Sequence, residues 1–331
     1  MNVGRRNTAR GILAAILLAV LAFVVLVQYA PDSVAFSPNN YGWNGLQGIS
    51  SAYNVNLTNS LSSLPTRAVL AILQPSVDFG SADANSVKGF LLGGGTVLVA
   101  DKSGVANSLL SGVGAGITIE SQYSISDPVY NWKGSTVPTA LVLQTAHEAY
   151  LANVSGIALN QPSPLALSGS AASKVAITSQ FSETQVGNRG PFVVMASEQI
   201  GAGTLVVVGD SQFLLNSEWT IASNRVLIGN LFANRSVFID TSHWMNSPLT
   251  SSTAQVRAEL RQTYATISTV PLRYGFALLM VVLALLLVPQ REHRTNREDM
   301  RIWLRTPEKS RAINGVREGD RTHIDRNFDA S

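Results

Sequence analysis

The sequence predicts an α/β domain set between two membrane-spanning helices, and three observations carry that expectation. Apolar runs of strand length alternate with stretches of helical periodicity through the middle of the chain. Several of those runs, RAVLAILQP (67–75) and GAGTLVVVGD (201–210) among them, are apolar without alternation, as strands covered on both faces of a parallel sheet are. On each side of this region a long uncharged apolar segment adjoins a cluster of arginines.

Taken in order, SVAF (Ser33–Phe36) suits a first strand. GLQGISSAYN (45–54) spaces Leu46, Ile49 and Tyr53 as one face of a helix. The strand at 67–75 is closed by Pro75, and SADANSVKGFLL follows as a helix with Ser81 or Asp83 as cap and Val87, Phe90 and Leu91 as its inner stripe. TVLVAD (96–101) is the next strand and NSLLSGVG a short helix ending in glycine. TALVLQ (139–144), GIALN (156–160), KVAITS (174–179) and PFVVMAS (191–197) read as strands, then GAGTLVVVGD as a turn and strand, then NRVLIGNLFA (224–233) as an amphipathic helix. Alternation of this kind implies a mostly parallel sheet with helices on both faces, and the span of about 120–190, richer in strands, reads as an antiparallel extension of that sheet or an insert on it.

The flanking segments set the domain organisation. GILAAILLAVLAFVVLV (11–27) carries no charge, and at about 1.5 Å per residue it covers most of a hydrocarbon core of roughly 30 Å. Arg5, Arg6 and Arg10 precede it, which places the N-terminus in the cytoplasm. A cleaved signal peptide is the rival reading; Gln28 and Pro31 around the candidate cut disfavour it. Pro271–Pro289 is the second span, followed by Arg291, Arg294, Arg297, Arg301 and Arg305. The chain therefore divides into a cytoplasmic N-terminus (1–10), a signal-anchor helix (11–28), an extracytoplasmic domain (29–270), a second helix (271–289) and a charged cytoplasmic tail (290–331). That tail holds ten of the 24 basic residues. The domain carries ten basic and thirteen acidic residues, so no basic patch is left there for nucleic acid. Three glycosylation sequons begin at Asn56, Asn153 and Asn234.

The chemistry-bearing residues are few. With no cysteine there is no disulfide, no thiolate metal site and no cysteine nucleophile. The four histidines, His147, His243, His293 and His323, show no metal-ligand spacing, so neither metal nor cofactor is expected. Gly93–Gly95 is not a phosphate loop. Those glycines close a helix and open a strand, and a helix C-terminus repels anions. Asp101 and Asp210 follow strands, where sites form in open α/β sheets, and Ser211 stands beside the second. GDSQF lacks the fifth-position glycine of a nucleophile elbow. Asp240 and His243 in DTSHW are the one acid–base pair that spacing suggests, and with Asp210 or Ser211 they make the candidate catalytic set. His147-Glu148 reads as an exposed loop. Tyr41 and Trp43 in SPNNYGWNG make a polar–aromatic loop suited to a sugar or a partner, or equally to helix entry.

The order of VKGFLLGGGTVLVAD, NSLL, GAGTLVVVGDSQFLLN, NRVLIGNLF and VFIDTSHW, ahead of a membrane helix, resembles the family known as domain of unknown function 4350, over about Pro31–Pro289. That family consists of prokaryotic membrane proteins, archaeal ones included. The resemblance implies a flavodoxin-like or amidotransferase-like sheet, similar to the type 1 glutamine amidotransferases and the gliding-motility auxiliary transport proteins. Amidotransferase chemistry needs the cysteine that this chain lacks. The resemblance also implies an accompanying MoxR-type ATPase and a role in an envelope complex. The expectation is a non-catalytic binding or scaffolding domain, with ligand-binding candidates Asp101, Asp210, Ser211, Tyr41 and Trp43. Two alternatives stand beside it: an envelope glycan or peptide hydrolase using Asp210, Asp240 and His243, and an accessory subunit of an ABC-type transporter.

Overall fold

The computed structural model describes residues 34–143 and 148–245, with positions 11, 12, 15, 18, 19 and 22 of the first apolar segment, all helical. The second apolar segment, the charged tail and His147 lie outside the described residues. Among the described residues no helix is long and apolar enough to cross a membrane.

Among the described residues the main sheet has nine strands. In spatial order they are β1 (Val55–Thr58), β13 (Val237–Asp240), β2 (Val69–Leu73), β3 (Thr96–Ala100), β12 (Gly203–Val208), β11 (Val193–Ile200), β9 (Ala172–Ile177), β6 (Thr139–Val142) and β7 (Gly156–Ala158). The pairings from β1 to β12 are parallel and those from β12 to β7 antiparallel. The sheet is thus half parallel and half antiparallel: the expected antiparallel extension is there in β6, β7 and β9, but it continues through β11 onto β12, so the sheet is not mostly parallel. Two small antiparallel pairs lie outside it: β4 (Ile117–Ile119) with β8 (Leu165–Leu167), and β5 (Ile125–Ser126) with β10 (Glu183–Thr184).

Helices α1 (Gln47–Ala52), α2 (Ser81–Leu92), α3 (Asn107–Val113) and α4 (Asn224–Phe232) complete the architecture. All five residues of β2 and of β3 are buried, because both faces of these strands are covered. Val69, Ala71 and Leu73 of β2 join Leu98, Val206 and the α1 and α4 residues Ile49, Leu227 and Leu231 in one core. Leu70 and Ile72 join Val97, Val99 and the α2 and α3 residues Val87, Leu91, Leu109 and Leu110 in the other. The two-residue period of a strand distributes each buried run between two cores.

Helix α2 shows how local chemistry sets its limits. Asp83 reaches back to accept the Gly80 backbone N–H at 3.0 Å, so the acid caps from inside the first turn. At the other end Gly94 N–H bonds Leu91 O and Gly95 N–H bonds Phe90 O, with Gly94 at φ +90°. This is the Schellman pattern with glycine in the left-handed position, and it returns the chain into β3.

Of the strand expected at Ser33–Phe36, Ser33 lies outside the described residues and residues 34–36 form none. Residues 34–36 turn, Phe36 has φ 59°, and its N–H bonds Asn44 O to close a loop rather than a ladder. The edge strand near the start of the domain is Val55–Thr58 instead, paired with Val237–Asp240.

Candidate functional site

Strands β13, β2, β3 and β12 end side by side, and a polar loop leaves each of them. In three of the four a carboxylate organises the loop that follows it.

Asp101, after β3, is fully buried. One of its oxygens accepts the Ser103 N–H at 2.7 Å and the Ser103 hydroxyl at 2.6 Å; the other accepts the Ala106 N–H at 3.0 Å. It therefore holds the entry to α3, as side-chain oxygens do at helix starts.

Asp210, after β12, is likewise inaccessible. Its Oδ1 accepts the Gln212 N–H at 2.9 Å and its Oδ2 the Asn160 N–H at 2.8 Å. Burial pushes its pKa up to about 6 despite those bonds and the nearby Lys102 charge. The Asn160 side chain donates to Glu218 Oε1 at 2.8 Å. Glu218 is 8% exposed, its other oxygen has no hydrogen-bond partner, and burial raises its pKa too. Lys102 Nζ approaches Asn160 O at 3.4 Å. Sequence reasoning missed Asn160, Glu218 and Lys102: Asn160 and Lys102 lie 50 or more positions from Asp210, and no local pattern ties Glu218 to it.

Gln74, after β2, has φ 44°, a left-handed conformation that costs a non-glycine residue of order 1–3 kcal/mol. Its N–H bonds Ala100 O, and its Oε1 accepts the Ser211 hydroxyl at 2.7 Å. The contact spans from β2 to β12 across the end of the intervening β3.

Asp240, the last residue of β13, accepts Ser242 N–H at 3.0 Å and Ser242 Oγ–H at 2.5 Å through Oδ1. Its Oδ2 lies 2.7 Å from His243 Nδ1. His243 Nε2 stands 3.5 Å from Asp83 on α2, and the ring stacks on Phe79 at 3.7 Å. Burial opposes charge on this imidazole, but the Asp240 bond and the Asp240 and Asp83 charges outweigh it, and the pKa is raised. The His243 carbonyl accepts the N–H groups of Ser76 and Val77.

The structure thus brings Asp240 and His243 together, as their spacing suggested, and adds Asp83 and Phe79, which sequence reasoning gave only helix-capping or no roles. Neither Ser211 nor Asp210 is among their hydrogen-bond or ion-pair partners. Ser211 donates to Gln74, and both nitrogens of His243 face carboxylates, so no Ser–His–Asp relay is formed.

Tyr41 and Trp43 are each 71% exposed on the loop between Phe36 and α1. Asn216 fixes that loop by donating to Asn40 O at 3.0 Å and Gly42 O at 2.7 Å. Beside it opens a cleft of about 610 Å³ lined by Val34, Phe36, Asn44, Gln74, Ser76 and Trp244, within the size range of small-ligand sites. A second cavity of about 370 Å³ opens at the opposite edge of the sheet, where Arg235 donates to Thr96 at 2.8 Å. The sequon asparagines Asn56, Asn153 and Asn234 are all exposed. Among the described residues no group of three or more His, Asp or Glu side chains is arranged to hold a metal ion.

Residues 35–232 match the model of a family described as a domain of unknown function, DUF4350. The chain belongs to that family. The DUF4350 match takes in most of both cores and the carboxyl ends of β2, β3 and β12, and stops before β13 with its Asp240–His243 pair. No curated protein matches the sequence. Among solved structures, the chain is similar to the mmIFT52 N-terminal domain at 19% identity, covering 48% of this chain and 73% of that one, with a TM-score of 0.39. A β-galactosidase from Bacillus circulans sp. alkalophilus is 18% identical over 50% of this chain and 22% of the enzyme, TM-score 0.32. The cytoplasmic protein STM3548 from Salmonella typhimurium is 11% identical over 51% and 75% of the two chains, TM-score 0.29.

Proposed function

We propose that this chain is a two-pass membrane protein whose extracytoplasmic α/β domain binds or scaffolds a partner in an envelope complex and performs no catalysis. On this reading both termini are cytoplasmic and the charged tail meets a cytoplasmic partner such as a MoxR-type ATPase. The amidotransferase-like class of the domain rests on the order of its motifs and on the five-stranded parallel half of the sheet.

One observation carries the non-catalytic reading. At the edge where α/β enzymes place their reacting groups, Asp101, Asp210 and Asp240 each accept backbone N–H groups, and Ser211 is held by Gln74. Those groups stabilise loops, and a nucleophile beside a free base is what acyl or glycosyl transfer would need.

The test is purification of the intact chain from native membranes and identification of what accompanies it. Recovery of a MoxR-type ATPase supports the scaffold reading. Recovery of a permease with its ATPase moves the protein to the transporter-accessory class. Protease added to intact cells should spare the tail after Gln290; digestion of that tail overturns the orientation.

A further inference from the structure

The described domain begins at Val34, and the apolar segment ahead of it ends at Val27. Six residues, Gln28–Ser33, separate them. Fully extended, that linker lets Val34 stand at most about 25 Å from Val27. Whichever face carries Val34 is therefore bound to stay near the end of that segment.

Val34 lies on the carboxyl edge of the sheet. Its carbonyl accepts Asn40 Nδ2 at 2.9 Å, and with Phe36, Gln74 and Trp244 it lines the 610 Å³ cleft. The loop from 34 to 46 is fastened to itself and to Asn216, in the segment that follows β12. Phe36 N–H bonds Asn44 O, Leu46 N–H bonds Ser37 O, and Asn216 holds Asn40 and Gly42. On this fixed loop Tyr41 and Trp43 stand 71% exposed, and at the cleft's far rim Met245 is 77% exposed. Residues 34–46 contain no Asp, Glu, Lys or Arg, so docking them on an apolar boundary strips no charge of water. Tryptophan and tyrosine are the side chains enriched at headgroup depth, where the ring is apolar and the N–H or O–H stays wet.

We propose that this face, with Tyr41, Trp43 and Met245 at its surface, rests in the headgroup layer of the bilayer that anchors the chain. The cleft beside it then opens toward lipid, and the Arg235 edge points away. The five residues of β2, at about 3.3 Å each, put that edge roughly 17 Å farther from the surface. The proposal rests on the membrane-anchored reading above, and the experiment separates the two.

The chain has no cysteine, so single cysteines can be placed without competition. Y41C, W43C, M245C, N234C and L18C are made in the full chain. Each is labelled with a nitrobenzoxadiazole fluorophore and reconstituted into phosphatidylcholine–phosphatidylglycerol vesicles, with and without lipid bearing a nitroxide headgroup or a nitroxide in the acyl chain. All five positions are exposed, so the labels disturb neither core. The expected result is blue-shifted emission that loses half or more of its intensity to the headgroup nitroxide at positions 41, 43 and 245. No quenching is expected at 234, and acyl-chain quenching at 18. If position 18 is quenched while 41, 43 and 245 behave like 234, the anchor stands and the proposed orientation falls. If position 18 is not quenched, the anchored reading fails and this proposal with it.

Discussion

The imidazole of His243 lies against the ring of Phe79, with centroids 3.7 Å apart and planes 20° from parallel. One ring nitrogen faces Asp240 at 2.7 Å and the other Asp83 at 3.5 Å. The charged ring therefore ties the exit of β13 to the first turn of α2. Its folded pKa is raised above the ordinary 6.5. Stability from this clamp is fully present below about pH 6.5 and is lost as pH rises through the higher folded value. His243→Phe should abolish that pH-dependent component in thermal unfolding of the detergent-solubilised chain. It should also cost about 1–3 kcal/mol at pH 6, because a buried oxygen of Asp240 loses its donor. An unchanged pH profile in the variant would show that the imidazole is not the titrating group.

Asp210 makes the opposite kind of contribution. Burial raises its pKa from 3.8 to about 6, so the folded state prefers the acid form. Folding stability attributable to it is highest below pH 4 and falls by roughly 3 kcal/mol as pH rises past 6. Asp210→Asn should remove this fall, while losing one of the two acceptors for the Asn160 and Gln212 N–H groups. Denaturation midpoints of wild type and variant between pH 4 and 7 check it: the two curves should differ in slope, and parallel curves would exclude Asp210.

These pairs also show what a sequence can and cannot announce. Val69–Leu73 and Thr96–Ala100 were legible because burial on both faces demands apolar residues at every position. The triple glycine was legible because its order, helix then strand, decides between a cap and a phosphate loop. Val55–Thr58 was not: it is an edge strand with one exposed and three half-buried positions, and its side chains carry no run. Asp240 and His243 are three residues apart and could be paired by eye. Asp83, which completes the clamp, comes from another element, and Asn160 reaches Asp210 from 50 residues away. Such partners depend on strand order, and strand order is a property of the whole sheet. The antiparallel extension over about 120–190 was legible from its strand density, but that β11 turns back on β12 to join it was not, since each of these strands reads locally much like a parallel one.

The bond between Ser211 and Gln74 joins loops 137 residues apart and holds a backbone conformation at φ 44°. Ser211→Ala leaves the Gln74 carbonyl oxygen without that donor and should lower stability by about 1 kcal/mol. Gln74→Gly loses the same bond but relieves the left-handed backbone, so it should cost less than the two effects of a larger residue would suggest. Equal losses in the two variants, measured as shifts in the urea midpoint, would mean that backbone strain at position 74 is negligible.

Two glycines around the turn that ends α2 should respond differently to alanine. Gly94 has φ +90°, but a Cβ there meets nothing closer than 3.8 Å. Gly94→Ala therefore costs only the left-handed conformation, about 1–2 kcal/mol. Gly203, at the start of β12, has an ordinary backbone, yet a Cβ would lie 2.3 Å from Leu91 O and 2.4 Å from Gly95 O. Both obstacles are main-chain carbonyls of the turn itself, so neither can swing aside as a side chain would. Gly203→Ala must separate α2 from β12 or break the pairing of Thr204 with Thr96, and it should cost more than Gly94→Ala. Comparison of the two unfolding midpoints decides it. A milder effect at Gly203 would mean that the turn can shift away from the strand, and that the close approach of Leu91 to β12 is not required by the fold.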